Sequence, residues 1–219
     1  MRTVEYSPGR SADVYGDTSQ PTVLMWHGAQ TDSRAAMAPL AQRLHERGAS
    51  VVLADWDSHA DDGGRSDLLA SARFAASWTD GPLVVVGWSM GGLAAAGLTI
   101  QAGRVGVEIA HTVCLAGAFM VRDPISGAPL PTELTGEPAA FTLLHGADDD
   151  VVPPDVSHSF ATVLSRNGWP VDCVVLAADH GSIAGATYDA EGDRYLPSSD
   201  PATLAVADDV AARIAAVAT

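Results

Sequence analysis

Leu83-Val84-Val85-Val86 runs straight into Gly87-Trp88-Ser89-Met90-Gly91-Gly92, and a small-residue stretch follows from Leu93 to Ile100. An apolar strand, a Gly-x-Ser-x-Gly turn and a helix in that order place a serine hydroxyl at the tip of a sharp turn, the position of a nucleophile. Such a turn forces the serine backbone into a strained region, and Gly87, Gly91 and Gly92 give the strand and helix room to approach. The amide of Met90 then lies at a helix N-terminus, where a developing negative charge is favoured. The same turn without chemistry would be an ordinary glycine-rich strand-to-helix connection. A nucleotide loop is excluded by the spacing, which is not Gly-x-Gly-x-x-Gly, and by the absence of any lysine.

Positioning such a serine takes a sheet and a core. The chain has 219 residues, of which 47% are hydrophobic, enough for one sizeable core and a single domain over residues 1–219. Lys+Arg number 12 against 27 Asp+Glu, a net charge of -15, so nucleic acid and anionic membrane are not expected partners. With arginine as the only strong base, a Schiff-base lysine and a Ser-Lys dyad are excluded. The start of the sequence has no apolar signal core and no run reaches membrane-spanning length, so a cytoplasmic location is expected. Cys114 and Cys173 lie in apolar runs separated by one further strand, roughly 9–10 Å apart, and are expected as unbridged core thiols.

In chain order, residues 3–6 and 12–15 flank Pro8-Gly9 and predict an antiparallel opening pair. Thr22-Val23-Leu24-Met25-Trp26 predicts a strand buried on both faces and ending at His27-Gly28-Ala29-Gln30. Ala36, Leu40 and Leu44 recur at helical spacing until Gly48, with Pro39 marking the true start after one loose turn. Residues 50–54 predict a strand, and Ser66 an N-cap before the stripe Leu69, Ala72, Ala76. Strands at 111–116, 141–144 and 171–176 follow, with a helix opened by Pro154 or Asp155 that turns Val156, Phe160 and Val163 inward. Residues 181–199 read as a polar loop, and Asp200-Pro201 starts a terminal alanine-rich helix. Two opening strands followed by alternating strands and helices predict an α/β fold with a mostly parallel sheet of about eight strands, covered on both faces.

In this order of elements the chain resembles the α/β-hydrolase superfamily over nearly its whole length. The turn at Ser89 matches its nucleophile. Gly146-Ala147-Asp148-Asp149-Asp150-Val151-Val152-Pro153 is similar to the family's Gly-x-x-Asp-x-x-Val-Pro acid loop, which places the acid at Asp149. Ala178-Asp179-His180-Gly181 is similar to its histidine loop. The resemblance implies that His180 takes the Ser89 proton and that Asp149 holds the other ring nitrogen. It also implies that the amides of Ala29 and Met90 receive the oxyanion. Asp148 flanks the acid, and Asp123, in the loop after the preceding strand, is the other carboxylate that some relatives would use. His27 is expected to shape its loop rather than act as a base, and His111 and His145 to be structural. Gln30, Trp88, Phe119 and Met120, with Trp26, are candidates for the substrate pocket. None of the histidines falls into a metal-binding spacing, so neither metal nor cofactor is expected.

Only about twenty residues separate the strands at 111–116 and 141–144, too few for a helical cap. The size and missing cap are most similar to the small dienelactone-hydrolase-like and carboxylesterase branch, with serine in place of cysteine. That likeness implies a serine hydrolase acting on small carboxylic esters or thioesters, whose partner is a small-molecule ester. Two alternatives stay open: a non-catalytic member of the fold that binds a small ligand, and an acyltransferase using the same triad. The sequence does not give the oligomeric state.

Overall fold

The computed structural model describes residues 1–218. Arg2–Ser7 (β1) and Arg10–Tyr15 (β2) pair antiparallel, as the Pro8-Gly9 turn requires, with Gly9 at φ 76°. Six further strands complete the main sheet: Thr22–Trp26 (β3), Ser50–Ala54 (β4), Leu83–Trp88 (β5), Ile109–Leu115 (β6), Ala140–Gly146 (β7) and Val171–Leu176 (β8). The strand order is β1-β2-β4-β3-β5-β6-β7-β8. β2 runs antiparallel to β4, and every later pairing is parallel.

Five longer helices cover the two faces: Ala38–Glu46 (α1), Arg65–Ser77 (α2), Met90–Ile100 (α3), Asp155–Arg166 (α5) and Pro201–Ala215 (α6), with one turn, Ala102–Val105 (α4), behind α3. The alternation within the strands decides which face each helix takes. Val23, Met25, Val51, Leu53, Val84 and Val86 turn towards Leu40 and Leu44 of α1 and Val210 and Ile214 of α6. Leu24, Trp26, Val52, Ala54 and Val85 turn the other way, towards Leu68 and Ala72 of α2 and Ala95 and Leu98 of α3. Burying each such side chain contributes about 1.5–3 kcal/mol. Both indoles fully inside the second layer are satisfied: that of Trp26 donates to Ser71 Oγ at 2.9 Å and that of Trp56 to His27 O at 3.1 Å.

Residues 116–139, between β6 and β7, contain no helix. The expected loose turn before Pro39 is a 3-10 turn, Arg34–Met37. Cys114 and Cys173 are both free, with β7 between their strands. Among the described residues no helix is long and apolar enough to cross a membrane.

Three local expectations are corrected. Ser66 lies inside α2, and it is Asp62 that receives the Gly64 and Ser66 amides, at 3.0 and 2.9 Å. In α5 the buried positions are Ser157, Phe160 and Leu164, not Val156 and Val163. A serine counts as polar in any hydrophobicity pattern, but this one is buried because a histidine takes its hydroxyl hydrogen bond. Finally, residues 181–199 are not an irregular loop. They hold a 3-10 turn, Ser182–Ala184, and a hairpin of Ala186–Asp189 (β9) and Arg194–Pro197 (β10), paired apart from the main sheet.

Candidate active site

In register, Trp88 of β5 aligns with Leu115 of β6, Leu115 with Leu144 of β7, and Gly146 of β7 with Leu176 of β8. The loops that leave these strands therefore leave from one edge of the sheet, where parallel α/β folds gather their chemistry.

Ser89 stands at the first of them with φ 57° and ψ -119°, one of three non-glycine residues with positive φ among the described residues. Backbone held there costs of order 1–3 kcal/mol and persists only where its surroundings over-determine it. Here they do. The Ser89 amide donates to Leu115 O at 2.8 Å, and its carbonyl accepts from the amides of Gly92, Leu93 and Ala118. A Cβ on Gly87 would run into the Gly91 carbonyl, and one on Gly91 into the carbonyls of Trp26 and His27, so the turn closes only with glycine at both.

Asp149 lies in the loop after β7, its carboxylate fully buried. Its Oδ1 accepts the amides of Val151 and Val152 at 3.0 and 2.8 Å, and its Oδ2 accepts from His180 Nδ1 at 2.8 Å. His145 Nε2 stands 3.2 Å from the same Oδ2 and bonds Val152 O at 2.8 Å. Ser157 Oγ is 2.7 Å from His145 Nδ1, which accepts its hydrogen when Nε2 carries the ring proton. Burial alone would raise the pKa of Asp149. The hydrogen bonds from His145 and His180 and the Val152 amide outweigh it and hold the carboxyl well below the usual carboxylate range.

His180 follows β8 on a turn tied by Asp179, whose carboxylate accepts the amides of Gly181 and Ser182 at 3.0 and 2.7 Å. The Trp88 indole donates to His180 O at 2.7 Å, and the two rings lie 5.4 Å apart. With Nδ1 committed to Asp149, Nε2 is the nitrogen left for a substrate or for Ser89. Among the described residues no hydrogen bond joins Ser89 Oγ to His180, although both line one cleft. Catalytic hydrogen bonds in ligand-free sites are commonly long and tighten only with substrate.

That cleft has a volume of about 160 Å³. Gly28, Ala29, Gln30 and Ser33 form one wall, with Trp88, Ser89, His180, Val151 and Tyr195 on the others. Neither the Ala29 nor the Met90 amide has a hydrogen-bond acceptor among the described residues, and Met90 opens α3, so both donors are available. The loop bearing Ala29 is braced from outside. Arg10 Nη1 donates to Thr31 O at 3.3 Å, and Arg34 bridges Asp13, Asp32 and Asp55 at 3.1, 3.1 and 2.8 Å.

His27 is part of the brace. Its Nδ1 lies 2.7 Å from Gly28 O, its Nε2 accepts the Trp56 amide at 3.2 Å, and its ring stacks on Trp56 at 5.6 Å. Full burial pushes its pKa down to about 4, which keeps the ring neutral in this frame. It shapes the loop, as expected, and does not face the cleft.

Of the proposed pocket residues, Gln30 and Trp88 line the cleft, whereas Phe119 and Met120 do not. They line a separate groove of about 270 Å³ with Val156, Phe160 and Val163, where Phe119 packs on Phe160 at 4.4 Å. Trp26 is buried in the core beneath α2. Asp148 and Asp150 are exposed. Asp123 is buried but spends its carboxylate on the amides of Ile125 and Ser126, both at 2.9 Å, and beside it opens a cavity of about 520 Å³ that contains neither Ser89 nor a histidine. Val151, Ser33 and Tyr195 are cleft residues that no motif indicated, and His145 touches the acid from inside the core. Among the described residues no cluster of three His, Cys, Asp or Glu could hold a metal ion.

The strand order, with a parallel sheet whose loops after β5, β7 and β8 carry Ser89, Asp149 and His180, is that of the α/β-hydrolase fold. Solved structures agree. An esterase/lipase from an uncultured bacterium superposes with a TM-score of 0.70 at 15% identity, over 99% of this chain and 84% of that one. An esterase from Mycobacterium marinum gives 0.68 at 16%, over 95% and 77%. A bacterial heroin esterase gives 0.69 at 14%, over 96% and 80%. At these identities the likeness establishes the fold. No protein-family profile matches the chain. Two uncharacterized proteins of Mycobacterium tuberculosis, one from each of two strains, are 28% identical to it over 167 residues. The match covers 68% of this chain and 59% of those relatives' length.

Proposed function

We propose that the protein is a serine hydrolase of small carboxylic esters or thioesters, working through an acyl-enzyme on Ser89. The observation that carries this reading is a single constellation. A strained serine lies in the same cleft as a histidine whose far nitrogen is held by a buried carboxylate that ionises readily. That combination has little structural use and a direct chemical one.

His180 Nε2 takes the Ser89 proton as Oγ attacks the carbonyl carbon, and Asp149 stabilises the resulting imidazolium while fixing the ring. The amides of Ala29 and Met90 receive the tetrahedral oxyanion, and losing one such donor typically costs about 10²–10³ in rate. His180 then gives its proton to the leaving oxygen or sulfur, and a water activated by the same nitrogen releases the acid. A cleft of about 160 Å³ with no helical segment above it suits short acyl groups and an open approach. The esterase names of the structural neighbours point the same way, as does the absence of a helix from residues 116–139.

One observation favours a second reading, a binding protein with an idle triad: the missing Ser89–His180 hydrogen bond. Turnover decides between them. Wild type should hydrolyse p-nitrophenyl acetate and butyrate, and Ser89→Ala and His180→Ala should each lose roughly 10⁴–10⁶ in kcat. A folded wild type that hydrolyses none of these esters would leave the binding reading.

A further inference from the structure

The β9–β10 hairpin has no part in the main sheet, yet it follows directly on the histidine loop and sends one ring back over it. Tyr195 packs edge-on against Trp88, with centroids 4.8 Å apart and planes at 87°, and lies 5.9 Å from the His180 ring. Tyr188 backs it at 5.2 Å. The hairpin's base is pinned, with the Ser198 amide donating to Gly185 O at 3.0 Å and Thr187 Oγ1 donating to Ser198 Oγ at 2.7 Å. Space for the ring comes from Gly181, where a Cβ would stand 3.0 Å from Tyr195 Cε1. The Tyr195 hydroxyl has no hydrogen-bond partner among the described residues, so nothing in the fold explains the phenol by its oxygen. Burial first, then Asp149, Asp179 and Asp150, push its pKa up to about 12, so the ring stays uncharged beside the triad.

The reaction fixes which half of a substrate meets this ring. The leaving oxygen or sulfur must be reached by His180 Nε2 to be protonated, so the leaving group departs on the histidine side. Resting on the hydrolase reading above, we propose that Tyr195 is a specificity-determining residue: with Trp88 it forms the wall beside His180 that limits the bulk of the leaving alcohol or thiol. Small primary alkyl leaving groups fit between this wall and Ser89. Branched or cyclic ones meet the ring.

The test compares wild type, Tyr195→Ala, Tyr195→Leu and Tyr195→Phe on ethyl acetate, cyclohexyl acetate and ethyl butyrate, followed by proton release. In Tyr195→Ala the cyclohexyl-to-ethyl acetate ratio of kcat/KM should rise roughly ten-fold or more, while the butyrate-to-acetate ratio keeps its wild-type value. Tyr195→Leu keeps an apolar filler should the alanine variant fail to fold, and should show a smaller rise. Tyr195→Phe should keep the wild-type cyclohexyl-to-ethyl acetate ratio, because the ring and not the hydroxyl forms the wall. An unchanged cyclohexyl ratio in both truncated variants, or a change confined to the butyrate ratio, would overturn the assignment. Fluorophosphonate labelling of Ser89 in each variant separates the two levels. A labelled, active wild type with an unmoved ratio defeats only the role of Tyr195, whereas a wild type that neither labels nor turns over any of the three esters defeats the hydrolase reading with it.

Discussion

Two regions close over Ser89, and they are built by opposite means. The acid and histidine loops are tied from within. Asp149, His145, Ser157 and His180 form one buried chain of hydrogen bonds, each link between 2.7 and 3.2 Å, and the carboxylate also holds two backbone amides. The β9–β10 hairpin is laid on from outside. Its strands are mostly exposed, and the one side chain it contributes to the cleft is held by ring contacts. Buried polar groups leave little freedom, since a group that loses its partner there costs about 1–3 kcal/mol. Aromatic packing at the rim can change size without unseating anything. On the proposed reading, the chemistry is fixed in the core and access is set at the edge.

The sharpest way to break this division is to touch the core side. Asp149→Asn keeps the shape but can no longer hold His180 in its reactive tautomer, and kcat on p-nitrophenyl acetate should fall about 10⁴-fold. A loss under ten-fold would mean that another carboxylate serves as the acid, with Asp123 the one to replace next.

A second test concerns the loop under the other wall. His27 has a folded pKa of about 4 against about 6.5 unfolded, so below the unfolded value the unfolded chain binds the extra proton. The stability this neutral ring contributes is complete above about pH 6.5 and is lost as pH falls towards 4, an effect of about 3 kcal/mol. Melting temperature should therefore drop between pH 7 and 4.5 in wild type. His27→Gln should start lower and drop less. Parallel profiles would remove His27 as the cause. Asp149 has the same sign in a lower window: its carboxylate stabilises the fold above about pH 4 and loses that contribution only on further acidification.

The smallest effect tests the innermost link. Ser157→Ala leaves His145 Nδ1 without its hydroxyl and should cost about 1–3 kcal/mol in urea unfolding, with kcat reduced while KM is unchanged. An equal loss in Tyr195→Ala, whose partners are at the rim, would erase the contrast between the two regions.

The parts of this molecule that sequence made legible are those where type and spacing are both constrained. Only glycine fits at Gly87 and Gly91 around a strained Ser89, so the turn is written into the motif. The buried strands read as uninterrupted apolar runs because both of their faces are covered. The hairpin was illegible for the converse reason. Ala186–Asp189 and Arg194–Pro197 are short and largely exposed, so alternation had nothing to act on, and polar composition read as loop. The one available signal was Thr187, Tyr188 and Tyr195 flanking a run of turn residues. Phe119 and Met120 follow β6, the strand paired with β5, and are apolar, which makes them pocket candidates, yet Phe119 turns to Phe160 of α5. His145 read as a strand-end residue; that its ring reaches Asp149 depends on the buried rotamer, which no spacing encodes.

The central claim is that Ser89 is a nucleophile activated by His180. Treating the folded protein with a fluorophosphonate and mapping the adduct by peptide mass spectrometry tests it most directly. The adduct is predicted on Ser89 in wild type and absent from Ser89→Ala and His180→Ala. A folded wild type that takes no label, or a label that persists in Ser89→Ala, would contradict it.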